Sequence, residues 1–130
     1  MTYVDAAVAP IRKTGQIKIH GSAAFEAMRK AGQLVARCLD MLPEHVGPGV
    51  PTEKIDRLVF EYAMDHGALP ATLMYRGYKK STCTSLNHVV CHGIPGDKPL
   101  KDGDIVNIDG TLILDSWHGD SSRMFTIGEI

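Results

Sequence analysis

Apolar residues recur every three or four positions from Phe25 through Met28, Ala31, Val35, Cys38 and Leu39 to Leu42, a spacing that predicts an amphipathic helix with one buried face. Ser22 stands where a cap belongs, and Pro43 loosens the helix end. Val46-Gly47-Pro48-Gly49-Val50-Pro51 then reads as a turn-rich connector that no helix tolerates. A second helix is predicted after it. Thr52 serves as its cap, Glu53 suits the positive end of its dipole, Ile55, Leu58, Val59 and Tyr62 form its buried stripe, and Gly67 closes it. Residues 1–20 show neither period and read as an irregular N-terminal arm, leaving residues 21–130 as one domain.

The period changes in the last third. From Asp104 to Leu114 apolar and β-branched residues alternate with others, and a second run extends from Trp117 to Ile127. Asp115-Ser116 between them is turn chemistry, so the two runs predict a hairpin. With the loop centred on those two residues, Leu114 faces Trp117, Asp109 pairs with Ser122, and Thr111 pairs with Asp120. Asp109 and Asp120 then become diagonal neighbours on one face, about 5 to 8 Å apart. At 4 Å two such carboxylates repel by about 4 kcal/mol in an effective dielectric near 20, and by less at this spacing. A divalent cation between them removes the conflict, which makes the pair candidate metal ligands. The plainer alternative is two solvated carboxylates on an open hairpin face. Asp109 lies inside an otherwise apolar strand, Gly119 before Asp120 leaves room for close approach, and His92 precedes both by a short turn-rich segment. A three-residue loop would shift the parity and separate the two carboxylates.

Composition narrows the class. A chain of 130 residues with 44% hydrophobic content fits one globular domain with a real core. Its formal net charge of −1 offers no electrostatic case for a specific nucleic-acid partner or a membrane surface. The small basic cluster Arg76, Lys79 and Lys80 reads as a solvated loop. Three cysteines, Cys38, Cys83 and Cys91, have no framework spacing and fit a reducing cytoplasm. No stretch reaches the length of a membrane span, and the segment from Ala6 to Ala9 is too short for a signal peptide.

From about Ser22 onward the sequence resembles the type I methionine aminopeptidases, peptidases of family M24. The resemblance is carried by Ser81-Thr82-Cys83, Asn87, Val89-Val90-Cys91-His92-Gly93-Ile94-Pro95, the run from Leu100 to Asp109, and Trp117-His118-Gly119-Asp120. It implies an α+β fold, the N-terminal half of a creatinase-like pita-bread domain with two helices packed on an antiparallel β-sheet. It implies a metal-dependent aminopeptidase that removes the initiator methionine from nascent chains with a small second residue. Asp109 and Asp120 match the first two ligands of a site for two divalent ions (Co, Mn, Fe or Zn), with Asp120 bridging. His92 matches the active-site histidine that contacts substrate, and Tyr75, Tyr78 and Cys83 match the pocket for the methionine side chain. The implied partners are nascent polypeptide N-termini, with possible ribosome proximity, in the cytoplasm.

Three departures qualify that expectation. Gly110 stands where a β-branched residue is usual, and Thr72 stands where the family often has Cys. The family's domain is also about twice as long, and its second half supplies a His and two Glu ligands and a second active-site His. Without that C-terminal half the chain is expected to bind metal weakly, to be inactive alone, and to expose a sheet edge that invites association. A non-catalytic pita-bread module that binds peptide or protein is one alternative, and the intact Asp109 and Asp120 argue against it. A Cys–His hydrolase using Cys83 or Cys91 with His92 is another, although adjacent Cys91 and His92 on a strand would point to opposite faces. Residue by residue plainer readings also stand: His92 as a turn histidine, Cys83 and Cys91 as small hydrophobes, and Tyr75 and Tyr78 as cover for the core.

Overall fold

A computed structural model describes residues 2–9 and 15–130. Helix α1 spans Ser22–Met41 and helix α2 spans Thr52–Asp65. The cap of α1 is Gly21, whose backbone is extended (φ −94°, ψ −176°), and no side chain bonds to the first turn. Ser22 is already helical, so it does not cap as the sequence predicts. Likewise Pro51 caps α2, and the hydroxyl of Thr52 turns sideways instead: it accepts the Gly96 N–H at 2.9 Å and donates to the Gly96 carbonyl at 3.2 Å. That bond ties the 96 loop to the start of the helix. At the other end of α1, Pro43 lacks an N–H for the ladder and the chain tightens into a 3-10 turn, Leu42–Glu44. Gly67, with φ +67°, follows the last turn of α2 and donates to the Met64 carbonyl.

The buried face of α1 is Ala31, Leu34, Val35, Cys38 and Leu39. Phe25 and Met28, predicted to share that face, are 61% and 47% exposed. In the first turns Ala24 and Ala27 are the partly buried residues instead, so the inward side there lies one position before the predicted one. From α2, Ile55 and Val59 are buried and Leu58 and Tyr62 pack against the same cluster at its margin. Each fully buried aliphatic side chain contributes about 1.5–3 kcal/mol of transfer free energy, which is what fixes both helices on the sheet.

The N-terminal arm is not irregular throughout. Strands β1 (Thr2–Asp5) and β2 (Gln16–Ile19) pair in parallel, Thr2 opposite Gln16 and Asp5 opposite Ile19. Both are short and mostly exposed, so they lack the alternation by which a half-buried strand is recognised. The expected arm also includes residues 1 and 10–14, which lie outside the described residues.

Four antiparallel strands form the main sheet: β3 (Leu69–Pro70), β4 (Cys83–Leu86), β5 (Ile105–Leu114) and β6 (Trp117–Thr126). β6 pairs with all ten residues of β5, so β3 and β4 share the opposite edge of β5. Along β5 burial alternates strictly. Val106, Ile108, Gly110 and Leu112 are buried, whereas Asn107, Asp109, Thr111 and Ile113 are intermediate. The first set meets the helices and the second faces the open side.

Candidate active site

The hairpin joining β5 and β6 turns on Asp115 (φ +48°) and Ser116 (φ +69°), a two-residue loop with both φ values positive, which is the type I′ geometry that matches strand twist. Leu114 pairs with Trp117, Asp109 with Ser122, and Thr111 with Asp120, as the two-residue loop predicts. Asp109 and Asp120 therefore share the open face as diagonal neighbours. Thr111 Oγ1 donates to Asp120 Oδ1 at 2.8 Å and fixes that carboxylate from across the strand pair.

Gly119 has a different purpose from the one its position suggests. It lies on the helix side, opposite Leu112, and a Cβ built on it would stand 2.3 Å from the Ala31 carbonyl oxygen and 2.9 Å from the Gly32 nitrogen. It lets the backbone of α1 rest on β6 and makes no room at Asp120. Gly110, also on the helix side, has no atom within 4 Å of such a Cβ.

Asp109 is partly buried, and its carboxyl is pushed above the usual 3.8 by desolvation first and by the Asp120 charge second; His92 pulls it back. The two carboxylates and the imidazole therefore act on one another electrostatically. His92 reaches this side through a local backbone device. Its φ is +57°, an uncommon left-handed conformation for a non-glycine residue. The following Gly93 donates to Ser85 Oγ at 3.1 Å, and its carbonyl accepts the Thr84 N–H at 2.8 Å. A Cβ on Gly93 would be 2.1 Å from the Thr84 carbonyl oxygen, so only glycine lets the loop lie this close to β4.

Cys83 pairs with Asp109 and shares its face. Beside them lies a cavity of about 410 Å³ lined by Thr72, Tyr75, Tyr78, Cys83, His92 and Ile94. The fold thus brings Tyr75, Tyr78, Cys83 and His92 together at one pocket. Ile94 was not anticipated, although an Ile between Gly93 and Pro95 that stays 70% exposed is the kind of apolar residue that marks a pocket rim. Two polar groups of the wall are already occupied: Thr72 Oγ1 donates to the Lys80 carbonyl at 2.8 Å, and Tyr78 Oη donates to the Thr82 carbonyl at 2.7 Å. What remains facing the cavity is mostly carbon and sulfur, a surface suited to an apolar or thioether side chain.

Cys83 does not resemble an activated nucleophile. Burial raises its thiol pKa, the Tyr78 hydroxyl lowers it in part, and Asp109 raises it further. Cys91 and His92 are not on a strand; both sit in the loop after β4, and Cys91 is exposed. Arg76 and Lys79 are exposed, with the Arg76 guanidinium 5.4 Å from the Tyr75 ring centre.

Among the described residues no group of three or more His, Cys, Asp or Glu side chains converges as a complete metal cage. Asp109 and Asp120 on the open face are nonetheless two mutually repelling carboxylates, hard oxygen donors chemically suited to a divalent cation. No helix among the described residues is long and apolar enough to cross a membrane.

An antiparallel sheet backed by two helices on one side, with paired carboxylates on the other, is the half-domain arrangement of the pita-bread peptidases. Residues 26–130 match metallopeptidase family M24, and the chain belongs to that family. Its sequence is 55% identical over 114 residues to the methionine aminopeptidase of Rickettsia prowazekii, covering 88% of this chain and 44% of that protein. It is 44% identical over 128 residues to methionine aminopeptidase 1D, chloroplastic/mitochondrial, of Arabidopsis thaliana, covering 98% of this chain and 36% of that protein. The crystal structure of the Rickettsia prowazekii methionine aminopeptidase superposes with a TM-score of 0.86, covering 87% of this chain and 46% of that one. The chain spans less than half the length of these relatives.

Proposed function

We propose that this chain is the N-terminal half, residues 21–130 preceded by an arm of residues 1–20, of a metal-dependent aminopeptidase that removes the initiator methionine from nascent proteins with a small second residue. One observation supports this most: Asp109, Asp120 and His92 face the same side of the sheet as an apolar cavity of about 410 Å³ lined by Tyr75, Tyr78 and Cys83. In this reading Asp109 and Asp120 would be among the ligands that hold two divalent ions (Co, Mn, Fe or Zn), which when bound would supply Lewis-acid polarisation and a water-derived nucleophile near neutral pH. His92 donates a hydrogen bond to the scissile carbonyl oxygen, where negative charge develops. Tyr75, Tyr78 and Cys83 take the methionine side chain and so orient the peptide. The enzyme works in the cytoplasm on nascent N-termini close to the ribosome. With two carboxylates and no third ligand beside them, residues 2–9 and 15–130 bind metal weakly, and activity needs the ligands of the C-terminal half.

The test is Mn²⁺ titration of the purified chain together with methionine release from Met-Ala-Ser, each against Asp120→Ala. Weak Mn²⁺ binding that Asp120→Ala abolishes, without release, is the expected result. Joining the chain to a C-terminal half from a relative should then restore release that a chelator stops. Mn²⁺ binding indifferent to both Asp109→Ala and Asp120→Ala would refute the assignment.

A further inference from the structure

Outside the site, one buried acidic group on α2 is left without a role by the reading above. Asp56 is 8% exposed, and among the described residues it forms no ion pair. Its Oδ1 instead accepts three hydrogen bonds from one short stretch of chain: the Ser81 N–H at 2.8 Å, the Thr82 N–H at 2.9 Å and the Thr82 hydroxyl at 2.8 Å. A carboxylate taken out of water is costly, and three donors converging on one oxygen are what compensates it here. The bonds bridge 25 and 26 positions of sequence, so they fix where the chain enters β4 relative to helix α2.

That entry point is also the back wall of the apolar cavity. Thr82, fully buried, presents its carbonyl to Tyr78 Oη at 2.7 Å, and the same hydroxyl lies 3.7 Å from Cys83 Sγ. Tyr78 and Cys83 both line the cavity, and neither touches Asp56 through a hydrogen bond of its own. The path is therefore Asp56 to the 81–82 backbone, from there to the Tyr78 hydroxyl, and from Tyr78 to the pocket surface. Tyr78 follows two left-handed residues, Met74 (φ +67°) and Arg76 (φ +49°); its N–H donates to the Tyr75 carbonyl at 2.9 Å and its carbonyl accepts the Met74 N–H at 2.7 Å, so the turn holds its backbone and the Thr82 carbonyl holds its hydroxyl end.

We infer that Asp56 is a positioning residue for substrate: through Thr82 it sets the orientation of Tyr78 and the enclosure of Cys83, and thereby the fit of the side chain entering the cavity. The part of this inference that concerns substrate rests on the function proposed above; the part that concerns the pocket wall does not.

Cysteine alkylation of this chain separates the two. Cys83, 9% exposed, reports the wall, whereas Cys38, 2% exposed in the core between helix and sheet, reports global opening. Losing charge-assisted hydrogen bonds raises the open population of a local segment, so Asp56→Ala should alkylate at Cys83 about tenfold faster or more while Cys38 stays protected. Asp56→Asn keeps an acceptor oxygen without the charge and should remain within about threefold of wild type. Thr82→Ala removes one of the three donors and should fall between them. L-methioninamide should slow Cys83 alkylation in wild type and in Asp56→Asn, and not in Asp56→Ala. If Asp56→Ala also exposes Cys38, Thr82→Ala carries the comparison. Cys83 reacting at the wild-type rate in Thr82→Ala, or in a folded Asp56→Ala, would overturn the inference. If methioninamide fails to protect the wild-type chain while the Cys83 rates still rank as stated, the wall is positioned as inferred and the proposed substrate is what fails.

Discussion

Gly119→Ala tests the packing on which the site rests, because the added Cβ meets atoms that cannot rotate away. It would lie 2.3 Å from the Ala31 carbonyl oxygen, 2.5 Å from the Ala31 carbonyl carbon and 2.9 Å from the Gly32 nitrogen. All three are helix backbone, so normal contact of about 3.5 Å requires α1 to lift from β6 by about 1 Å. Overpacking alone costs about 1–3 kcal/mol. A gap of about 1 Å also forfeits a quarter to a half of the dispersion energy of whatever it separates, and here it opens beneath Leu34 and Val35. The sum is about 3 kcal/mol, a large fraction of the 5–15 kcal/mol that holds a domain together. Gly110→Ala is the matched control. It makes the same chemical change on the same side of the adjacent strand, where nothing lies within 4 Å, and should stabilise by about 0.5 kcal/mol through lost chain entropy in the unfolded state. Urea unfolding of both variants reads the difference, with a midpoint shift of about 2 M for Gly119→Ala if the slope is near 1.5 kcal/mol/M. If Gly119→Ala lies within about 0.5 kcal/mol of Gly110→Ala, helix α1 does not rest on the β6 backbone and the packing argument is wrong.

Ser116 holds φ +69° in the hairpin loop, so Ser116→Gly should stabilise by about 0.5 kcal/mol in thermal unfolding, the relief of left-handed strain outweighing the added chain entropy; a loss of stability would contradict the type I′ turn. Thr84 is 3% exposed and its hydroxyl has no hydrogen-bond partner among the described residues, so Thr84→Val, which keeps the shape, should stabilise by about 1 kcal/mol, and a destabilised variant would mean that the hydroxyl is satisfied. Asp109 carries a carboxyl whose pKa rises on folding, so its favourable contribution is complete below 3.8 and is lost as pH rises through the folded value. Asp109→Asn should therefore be more stable than wild type at pH 7, by about 1 kcal/mol once solvent screening of the Asp120 repulsion is allowed for. The two curves should converge in acid, and saturating Mn²⁺ should reverse their order at pH 7. Equal stability across the pH range would remove the case for a carboxylate conflict at this position.

How far the sequence alone reveals this fold depends on how local each signal is. The hairpin register was legible because Asp115-Ser116 fixes the loop length and a strand's two-residue period then assigns every face. The helices were legible for the same reason, through period. Their caps were not: Ser22 and Thr52 are the right residue types one position too late, and Gly21 and Pro51 cap by backbone conformation alone. The exposure of Phe25 and Met28 reflects which side of the first turns of α1 faces inward, that of Ala24 and Ala27, which is tertiary information. Gly119 and Gly93 were visible as glycines, but what each approaches is a backbone 88 and 9 residues away along the chain, at Ala31 and Thr84. Asp56 was least legible. An Asp on the buried side of a helix gives no hint that its partners are the amides of a loop some 25 residues later.

The division between the two faces of the main sheet explains why these residues sit so close in sequence. Gly110 and Gly119 belong to the helix side, and their immediate neighbours Asp109 and Asp120 belong to the open side. Alternation places Gly119, whose close approach to the Ala31 backbone sets β6 against α1, one residue from Asp120, so that contact also positions the carboxylate on the open side. The same holds for the loop after β4, where Gly93 locks onto Thr84 and Ser85 and the neighbouring His92 takes its direction from that contact. The chemistry of the open face is thus oriented from the opposite side of the sheet and from the backbone. Chemical groups positioned in this way leave their own side chains free of structural bonds: Asp120 has one, to Thr111, and Asp109 and His92 have none recorded among the described residues. That freedom is what a group needs if it is to bind a cation or a substrate carbonyl, while Gly119 and Gly93 hold the backbone that carries Asp120 and His92.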